Sequence, residues 1–324
     1  MRSERTLAPL PAIVVALAFI GGAAALTPDR TIVTSLPVQD LALTDRWVAY
    51  VADAPVRLHC ARIALWNTAT NKRQLFDAKE QCLEQGSTGQ GVWDVAVASK
   101  RLLWLTYAGG NFREWSLWTA TTTRSTPRRL RFVARDVDDP APIVIGPGTA
   151  EGIAYAVDRQ VTYLGDDGKA IFTWTAPRPI RAVATGDGPR KWRVAALQDN
   201  GTVVVLDASG NPVYDPSFQS ELVRSVRLAP SGLVVQMGQL AIISKPSLEH
   251  EVIRLPSGAR LVDVAQGRLV YQRGRDLWAL TIETRKSARL VEGTPSQPAQ
   301  GQLDAKGIVW AKGRTVSWRA GALP

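Results

Sequence analysis

The sequence predicts an all-β protein, a seven-bladed β-propeller of four-stranded antiparallel blades. The main observation is a short phrase that recurs seven times, in which Gly or Arg precedes four residues of alternating apolar and aromatic character. The copies are residues 46–50, 101–105, 152–156, 193–197, 232–236, 268–272 and 307–311. They are about 36 to 55 residues apart, which is the spacing of propeller blades.

The surroundings of each copy supply the other strands of a blade. An apolar stretch precedes each copy, and two further strands follow it, separated by polar turns such as NTATNK, DDG and ETRK. One such sheet cannot bury both of its faces, whereas radial stacking covers each sheet with its neighbours. We therefore expect one propeller, with seven blades, or six or eight if residues 136–187 divide differently.

The two ends of the chain predict how the ring closes. The final unit has only three strands, and TIVTSL at 31–36 is a lone strand ahead of the first blade. An N-terminal strand that completes the last blade would remove the open edges of the ring. Helices should be nearly absent.

The turn between the first two strands of the fifth unit carries a resemblance to a known family. APSG at 229–232 resembles the Ser-Pro-Asp-Gly turn of TolB-like propeller repeats, and LTDR, ASKR and AQGR are similar turns. The likeness is at the level of the repeat, and it also extends to WD-repeat-like propellers, although Trp93-Asp94 is a lone Trp-Asp pair in the wrong strand. The resemblance implies the propeller fold and an exported protein that binds proteins or envelope components.

Composition excludes several other classes of protein. The 324 residues are 45% hydrophobic and 21% charged, which is too apolar for a disordered chain and too mixed for a polytopic membrane protein. The formal net charge of +10 suits an anionic partner. Arginines at 124, 128, 129, 131 and 135 form the densest basic run, on the predicted outermost strand of blade two, where charge also protects a sheet edge.

The N-terminus predicts export. Arg2 and Arg5 precede an uncharged apolar run, and Ala23 and Ala25 fit the small-x-small pattern of signal cleavage. We expect residues 1–26 to be a signal peptide, or a signal anchor if they are not cleaved, and residues 27–324 to be a single propeller domain. The protein is then secreted, periplasmic or associated with the cell envelope, and it contacts the membrane only through an uncleaved N-terminal segment.

Cys60 and Cys82, the two cysteines of the chain, are predicted to lie on one rim of the ring. Cys60 ends the loop between the second and third strands of blade one, and Cys82 lies in the connection to blade two. In a propeller both kinds of loop emerge on the same face, and an exported chain can oxidise its thiols. A disulfide that closes about 22 residues would stabilise the fold by roughly 3 kcal/mol. Two separate free thiols are the alternative.

The same face carries the longest connections of the chain, at residues 52–59, 77–91, 107–113 and 134–142. We call it the loop-rich face. Long loops gathered on blades one to three predict a binding surface there. Its predicted members are Arg57, His59, Trp93, Tyr107, Asn111, Arg113, Asp136 and Asp138. The alternative is that these loops only cap the channel and hold the disulfide.

The chain offers few groups for catalysis. His59 and His250 are the only histidines and lie far apart in sequence, and the acidic run at 136–139 lacks the Gly and further carboxylate of a calcium loop. We therefore predict no catalytic residues, no metal and no cofactor. The predicted function is a non-enzymatic, monomeric binding protein for a protein or an anionic envelope polymer, with no role for nucleic acid.

A hydrolase or lyase acting on a glycan or a small cyclic substrate is the alternative. It requires two carboxylates about 5 to 10 Å apart, and Asp94 with Asp136 or Glu151 is the pair that the sequence suggests.

Overall fold

The computed structural model describes residues 26–52, 62–76, 90–123, 126–216 and 222–323. Within these ranges the chain forms seven four-stranded antiparallel sheets, each with its strands in sequential order except the last. The one helical element there is a single 3₁₀ turn, Pro189–Lys191. The predicted all-β propeller with seven blades is confirmed.

The strands are numbered along the chain, beginning with β1 (Arg30–Val33). Blade one consists of β2 (Asp40–Thr44), β3 (Trp47–Val51), β4 (Ile63–Asn67) and β5 (Lys72–Phe76). Blade two consists of β6 (Gln90–Val97), β7 (Arg101–Ala108), β8 (Phe112–Thr121) and β9 (Arg128–Asp136). Blade three consists of β10 (Ile143–Ile145), β11 (Gly152–Val157), β12 (Gln160–Gly165) and β13 (Ala170–Thr175).

The remaining blades repeat the pattern. Blade four consists of β14 (Ile180–Thr185), β15 (Trp192–Gln198), β16 (Val203–Asp207) and β17 (Pro212–Tyr214). Blade five consists of β18 (Val223–Ala229), β19 (Gly232–Met237), β20 (Leu240–Ser244) and β21 (His250–Arg254). Blade six consists of β22 (Ala259–Ala265), β23 (Arg268–Arg273), β24 (Asp276–Thr281) and β25 (Ser287–Val291). Blade seven contains β26 (Gln300–Leu303), β27 (Gly307–Lys312) and β28 (Thr315–Ala320).

The core lies between blades rather than within them. The described residues contain seven buried apolar clusters, and each joins two neighbouring blades. Between blades two and three, for example, Leu103 and Trp115 pack with Ile153 and Tyr155. Each side chain of this size contributes about 1.5–3 kcal/mol when it is fully buried. A single blade has no such core, so the fold is stable only as a ring.

Side chains on the innermost strands also join neighbouring blades by hydrogen bonds. Asp40 Oδ2 accepts the N–H of Val95 in blade two at 2.9 Å. Asp263 Oδ2 accepts the N–H of Leu303 in blade seven at 2.9 Å, and Gln302 Oε1 accepts the N–H of Leu43 in blade one at the same distance. Each bond satisfies a backbone donor that faces the channel and has no ladder partner on that side.

The ring closes through the N-terminal strand, as predicted. β1 pairs antiparallel with β28, from Arg30 opposite Trp318 to Val33 opposite Thr315, and so becomes the outermost strand of blade seven. Ile32 packs against the cluster shared by blades seven and one. Blade seven therefore contains both ends of the propeller.

Removal of β1 should destabilise the whole ring. We expect a chain that begins at residue 37 to unfold at a lower temperature than one that begins at residue 27, and to self-associate, because β28 would become an open edge. Thermal unfolding and size-exclusion chromatography measure both effects. Val33→Thr is the matched control, since the Val33 side chain is 70% exposed. An unchanged unfolding midpoint and a monomeric elution of the shorter chain would contradict this account of closure.

Candidate functional site

The loop-rich face is described for blades two and three and in part for blade one. Arg57, His59, Cys60 and Cys82 lie outside the described residues, and with them the predicted disulfide and two of the four long connections. Trp93, Tyr107, Asn111, Arg113, Asp136 and Asp138 are all described. They lie at the ends of β6, β7, β8 and β9 that face this side of the ring.

Three aromatic rings form a cluster at this face, which we call the aromatic cluster. The ring centroids are 5.8 Å apart for Trp93 and Tyr107, 5.2 Å for Trp93 and Trp115, and 5.7 Å for Tyr107 and Trp115. Trp93 meets both neighbours edge-on. The Arg113 guanidinium lies over the Tyr107 ring, 5.3 Å from its centroid. Edge-to-face contacts and a cation over an aromatic face are both favourable, so the cluster holds its own shape.

Strand register explains why the rings meet. Tyr107 of β7 and Trp115 of β8 lie directly opposite each other. The pairing of β6 with β7 shifts between Val92 and Asp94, so Trp93 is the extra residue of a β-bulge. Gly91 lies beside the Tyr107 ring, at a distance where a Cβ would be in van der Waals contact with it. The bulge turns Trp93 to the surface, where 52% of it is exposed, while Trp115 beneath it is 2% exposed.

The other predicted residues form a polar rim beside the aromatic cluster. The carbonyl of Asn111 accepts the N–H of Val137, and Asp136 Oδ1 accepts the N–H of Asp138 at 3.2 Å. Arg135 pairs with Asp158 of blade three at 2.8 Å. Phe112, which the sequence analysis did not single out, is 60% exposed on the same rim. The feature of the sequence that could have identified Phe112 is its position directly after the Gly-Gly-Asn turn.

The innermost strands enclose a central channel that opens beside Trp93, with a cavity of about 1090 Å³. Asp40 of β2 and Asp94 of β6 line it, and their carboxyl groups are hydrogen-bonded to each other. Burial raises the pKa of Asp40 to about 6, against the opposing effect of the N–H groups of Leu41 and Val95. Burial, and then repulsion by Asp40, raise the pKa of Asp94 well above its ordinary range. Asp94 is therefore the member of the pair that holds the proton.

This carboxyl pair differs from the ones that the sequence suggested. Asp136 lies at the end of β9, three strands out from β6, which is about 14 Å at the spacing of paired strands. Glu151 lies between β10 and β11, on the opposite face, where it pairs with Arg193. The partner of Asp94 is Asp40. The sequence could have indicated this pair, because the segments DLAL and DVAV place an Asp at the same position of the innermost strands of blades one and two.

Two kinds of feature are absent from the described part of the chain, a group of metal-ligand side chains and a membrane-spanning helix. No three of its His, Cys, Asp and Glu side chains are gathered as the ligands of a metal ion would be. No helix found there is long and apolar enough to cross a membrane.

Similarity to known proteins is limited to the fold. No protein-family model matches the chain, and no curated protein matches it. Solved structures do match. A chain from the crystal structure of the mitotic checkpoint complex aligns over 100% of this chain and 99% of its own, with a TM-score of 0.58 and 11% identity.

Two further structures agree with the first. Raptor of Chaetomium thermophilum aligns over 90% of this chain but 29% of its own, with a TM-score of 0.56 and 12% identity. The Pan2 WD40 domain of Neurospora crassa aligns over 90% of this chain and 91% of its own, with a TM-score of 0.50 and 10% identity. The predicted WD-repeat-like resemblance is confirmed at the level of fold, and the TolB-like resemblance stays a prediction.

Proposed function

We propose that this protein is an exported, non-enzymatic propeller that binds a protein or a cell-envelope component through the loop-rich face of blades one to three. The observation that carries this proposal is the aromatic cluster with Arg113. Trp, Tyr and Arg are the residues that contribute most to binding at protein interfaces. Here one exposed Trp ring is held by two neighbouring rings, so little freedom of that side chain is lost when a partner covers it.

The surroundings of the cluster also suit an interface. Phe112 adds exposed apolar surface, and Asp136, Asp138 and Arg135 supply a polar rim, which is the usual anatomy of such a surface. The net charge of +10 favours an acidic protein or an anionic envelope polymer as the partner. A chain of the mitotic checkpoint complex shares this fold, and its presence in an assembly of proteins supports a binding role here.

Substitutions in the aromatic cluster should abolish partner binding. We expect Trp93→Ala and Arg113→Ala each to weaken binding about 30-fold or more, because each removes an anchor from the centre of the surface. The measurement is a cross-linked pull-down from envelope extract, repeated with the purified partner to obtain affinities.

Leu248→Ala is the matched control for this experiment. Leu248 is 66% exposed in the turn between β20 and β21, on the opposite face. Equal recovery of the partner by all variants would exclude the aromatic cluster as the binding surface. Recovery of no partner by the unsubstituted chain would exclude the binding role itself.

Export predicts a defined N-terminus for the mature protein. If residues 1–26 are removed as predicted, the exported protein begins at Thr27. N-terminal sequencing of the protein from the envelope or medium tests this. An intact N-terminus in the membrane fraction would instead identify residues 1–26 as an anchor, and an intact protein inside the cell would contradict export.

The carboxyl pair of the channel bears on the enzymatic alternative. Glycoside hydrolases hold their two carboxyl groups about 5 Å or more apart, so that substrate or water fits between them. Asp40 and Asp94 bond directly to each other, and both oxygens of Asp40 also accept backbone N–H groups, from Leu41 and Val95. These contacts support a structural role for the pair, in which Asp94 stores a proton between two blades.

A stored proton makes stability depend on pH. A carboxyl whose pKa is raised by folding binds its proton more tightly in the native state, so its contribution to stability is fully present below pH 3.8 and is lost as the pH rises through its native pKa. That pKa is about 6 for Asp40, and the pKa of Asp94 is also raised, so both contributions decline towards alkaline pH. We expect Asp94→Asn, which keeps a permanent donor towards Asp40, to raise the unfolding midpoint by about 2–4 °C at pH 8 and to leave it unchanged at pH 4.

Asp40→Asn is the matched comparison. An amide offers one acceptor oxygen where Asp40 uses two, so this variant should be destabilised at both pH values. Thermal unfolding at the two pH values measures both variants. A lower midpoint of Asp94→Asn at pH 8 would contradict the protonated state of Asp94.

A further inference from the structure

Four arginines line the channel opposite the carboxyl pair, and we call them the arginine wall. They are Arg181 of β14, Arg224 and Arg227 of β18, and Arg260 of β22. These are the innermost strands of blades four, five and six, whereas Asp40 and Asp94 belong to blades one and two. Arg260 attracts Asp40, and Arg227 attracts Asp263 of β22 more than it attracts Asp94. Asp263 lines the cavity on the same side as the arginines, so that side carries four guanidinium groups and one carboxyl group, and Asp40 and Asp94 form an acidic side on blades one and two.

The arginine wall is built by a repeated irregularity of the backbone. The innermost strands of blades two, four, five and six each shift register at the same position, next to their second strand. The extra residues line the cavity, and they are Trp93, Arg181, Arg224 and Val262. Bulges re-aim side chains and are common beside functional sites. Two of these four bulges direct a guanidinium into the channel.

The guanidinium groups keep free donors. Among the described residues, no ion pair within 4 Å includes any member of the arginine wall, whereas other arginines such as Arg193 and Arg285 have carboxylate partners. Arg181 donates to the carbonyl of Val223, and Arg260 donates to Gln272 Oε1 at 3.4 Å. A guanidinium has five N–H donors in the geometry that matches a carboxylate. Arg227 already donates to the carbonyls of Val262 at 2.6 Å and Val226 at 2.8 Å, so the donors that remain for a ligand belong mainly to Arg181, Arg224 and Arg260.

We propose that the channel binds a small zwitterion, an amino acid or a short peptide with free ends, whose carboxylate meets the arginine wall and whose ammonium meets Asp40 and Asp94. Asp40, whose pKa is raised to about 6, is mostly ionised at neutral pH and supplies a negative charge to this side of the channel. A cavity of about 1090 Å³ suits a ligand of this size. The free ends of an extended tripeptide lie about 10 Å apart, so its two charges can meet groups on different blades.

Trialanine and its two end-blocked derivatives test each side of the channel separately. We expect trialanine to bind saturably in isothermal titration calorimetry with the full chain. N-acetylation, which removes the ammonium, and C-amidation, which removes the carboxylate, should each weaken binding at least about tenfold. Absence of saturable binding, or equal binding of either blocked peptide, would overturn the proposal.

Matched variants assign each end of the ligand to a side. Arg224→Gln should weaken trialanine binding at least about tenfold and leave the amidated peptide unaffected. Asp40→Asn, which removes the negative charge of the carboxyl pair, should weaken trialanine binding and leave the acetylated peptide unaffected. Arg254→Gln, on the outermost strand of blade five, is the control and should bind normally. An equal loss in the control would overturn the proposal. A failure of this peptide experiment does not contradict the proposed binding surface on the loop-rich face, because the partner-binding experiment uses Trp93 and Arg113.

Discussion

The packing of each blade against its two neighbours is the interaction on which the rest of the structure depends. All seven apolar clusters of the described chain lie between blades, so no blade has a core of its own. A ring is then the arrangement that covers every sheet. Closure by β1 follows from the same constraint, because an incomplete seventh blade would leave both an open edge and an uncovered face.

Radial packing also creates the channel and its chemistry. The innermost strands converge on an axis where apolar side chains cannot fill the space, so polar side chains there take a second role and hold the blades together. Asp40, Asp263 and Gln302 each accept an N–H from the next blade. The same burial that makes these bonds effective removes water from the carboxyl groups, and it raises the pKa of Asp40, Asp94 and Asp263.

The sequence predicted those parts of the candidate site that depend only on the order of the strands. Trp93, Tyr107 and Arg113 were predicted to share a face because propeller topology brings the ends of their strands to one side, and the structure places their rings and guanidinium in contact. The identity of the Asp94 partner was wrong. Asp136 lies on β9, three strands out from the strand of Asp94, whereas Asp40 lies on the innermost strand of the neighbouring blade.

The periodic pattern by itself determined the all-β class, the seven blades and the closing strand, because alternation and repeat length depend on local backbone geometry that every copy shares. Tertiary structure alone decided which side chains meet across blades, and which side chains the β-bulges direct into the channel. Bulges at Trp93, Arg181 and Arg224 change the register by one residue without a mark in the local pattern. The arginine wall and the carboxyl pair join residues far apart in the chain, and only ring closure brings them to face one another.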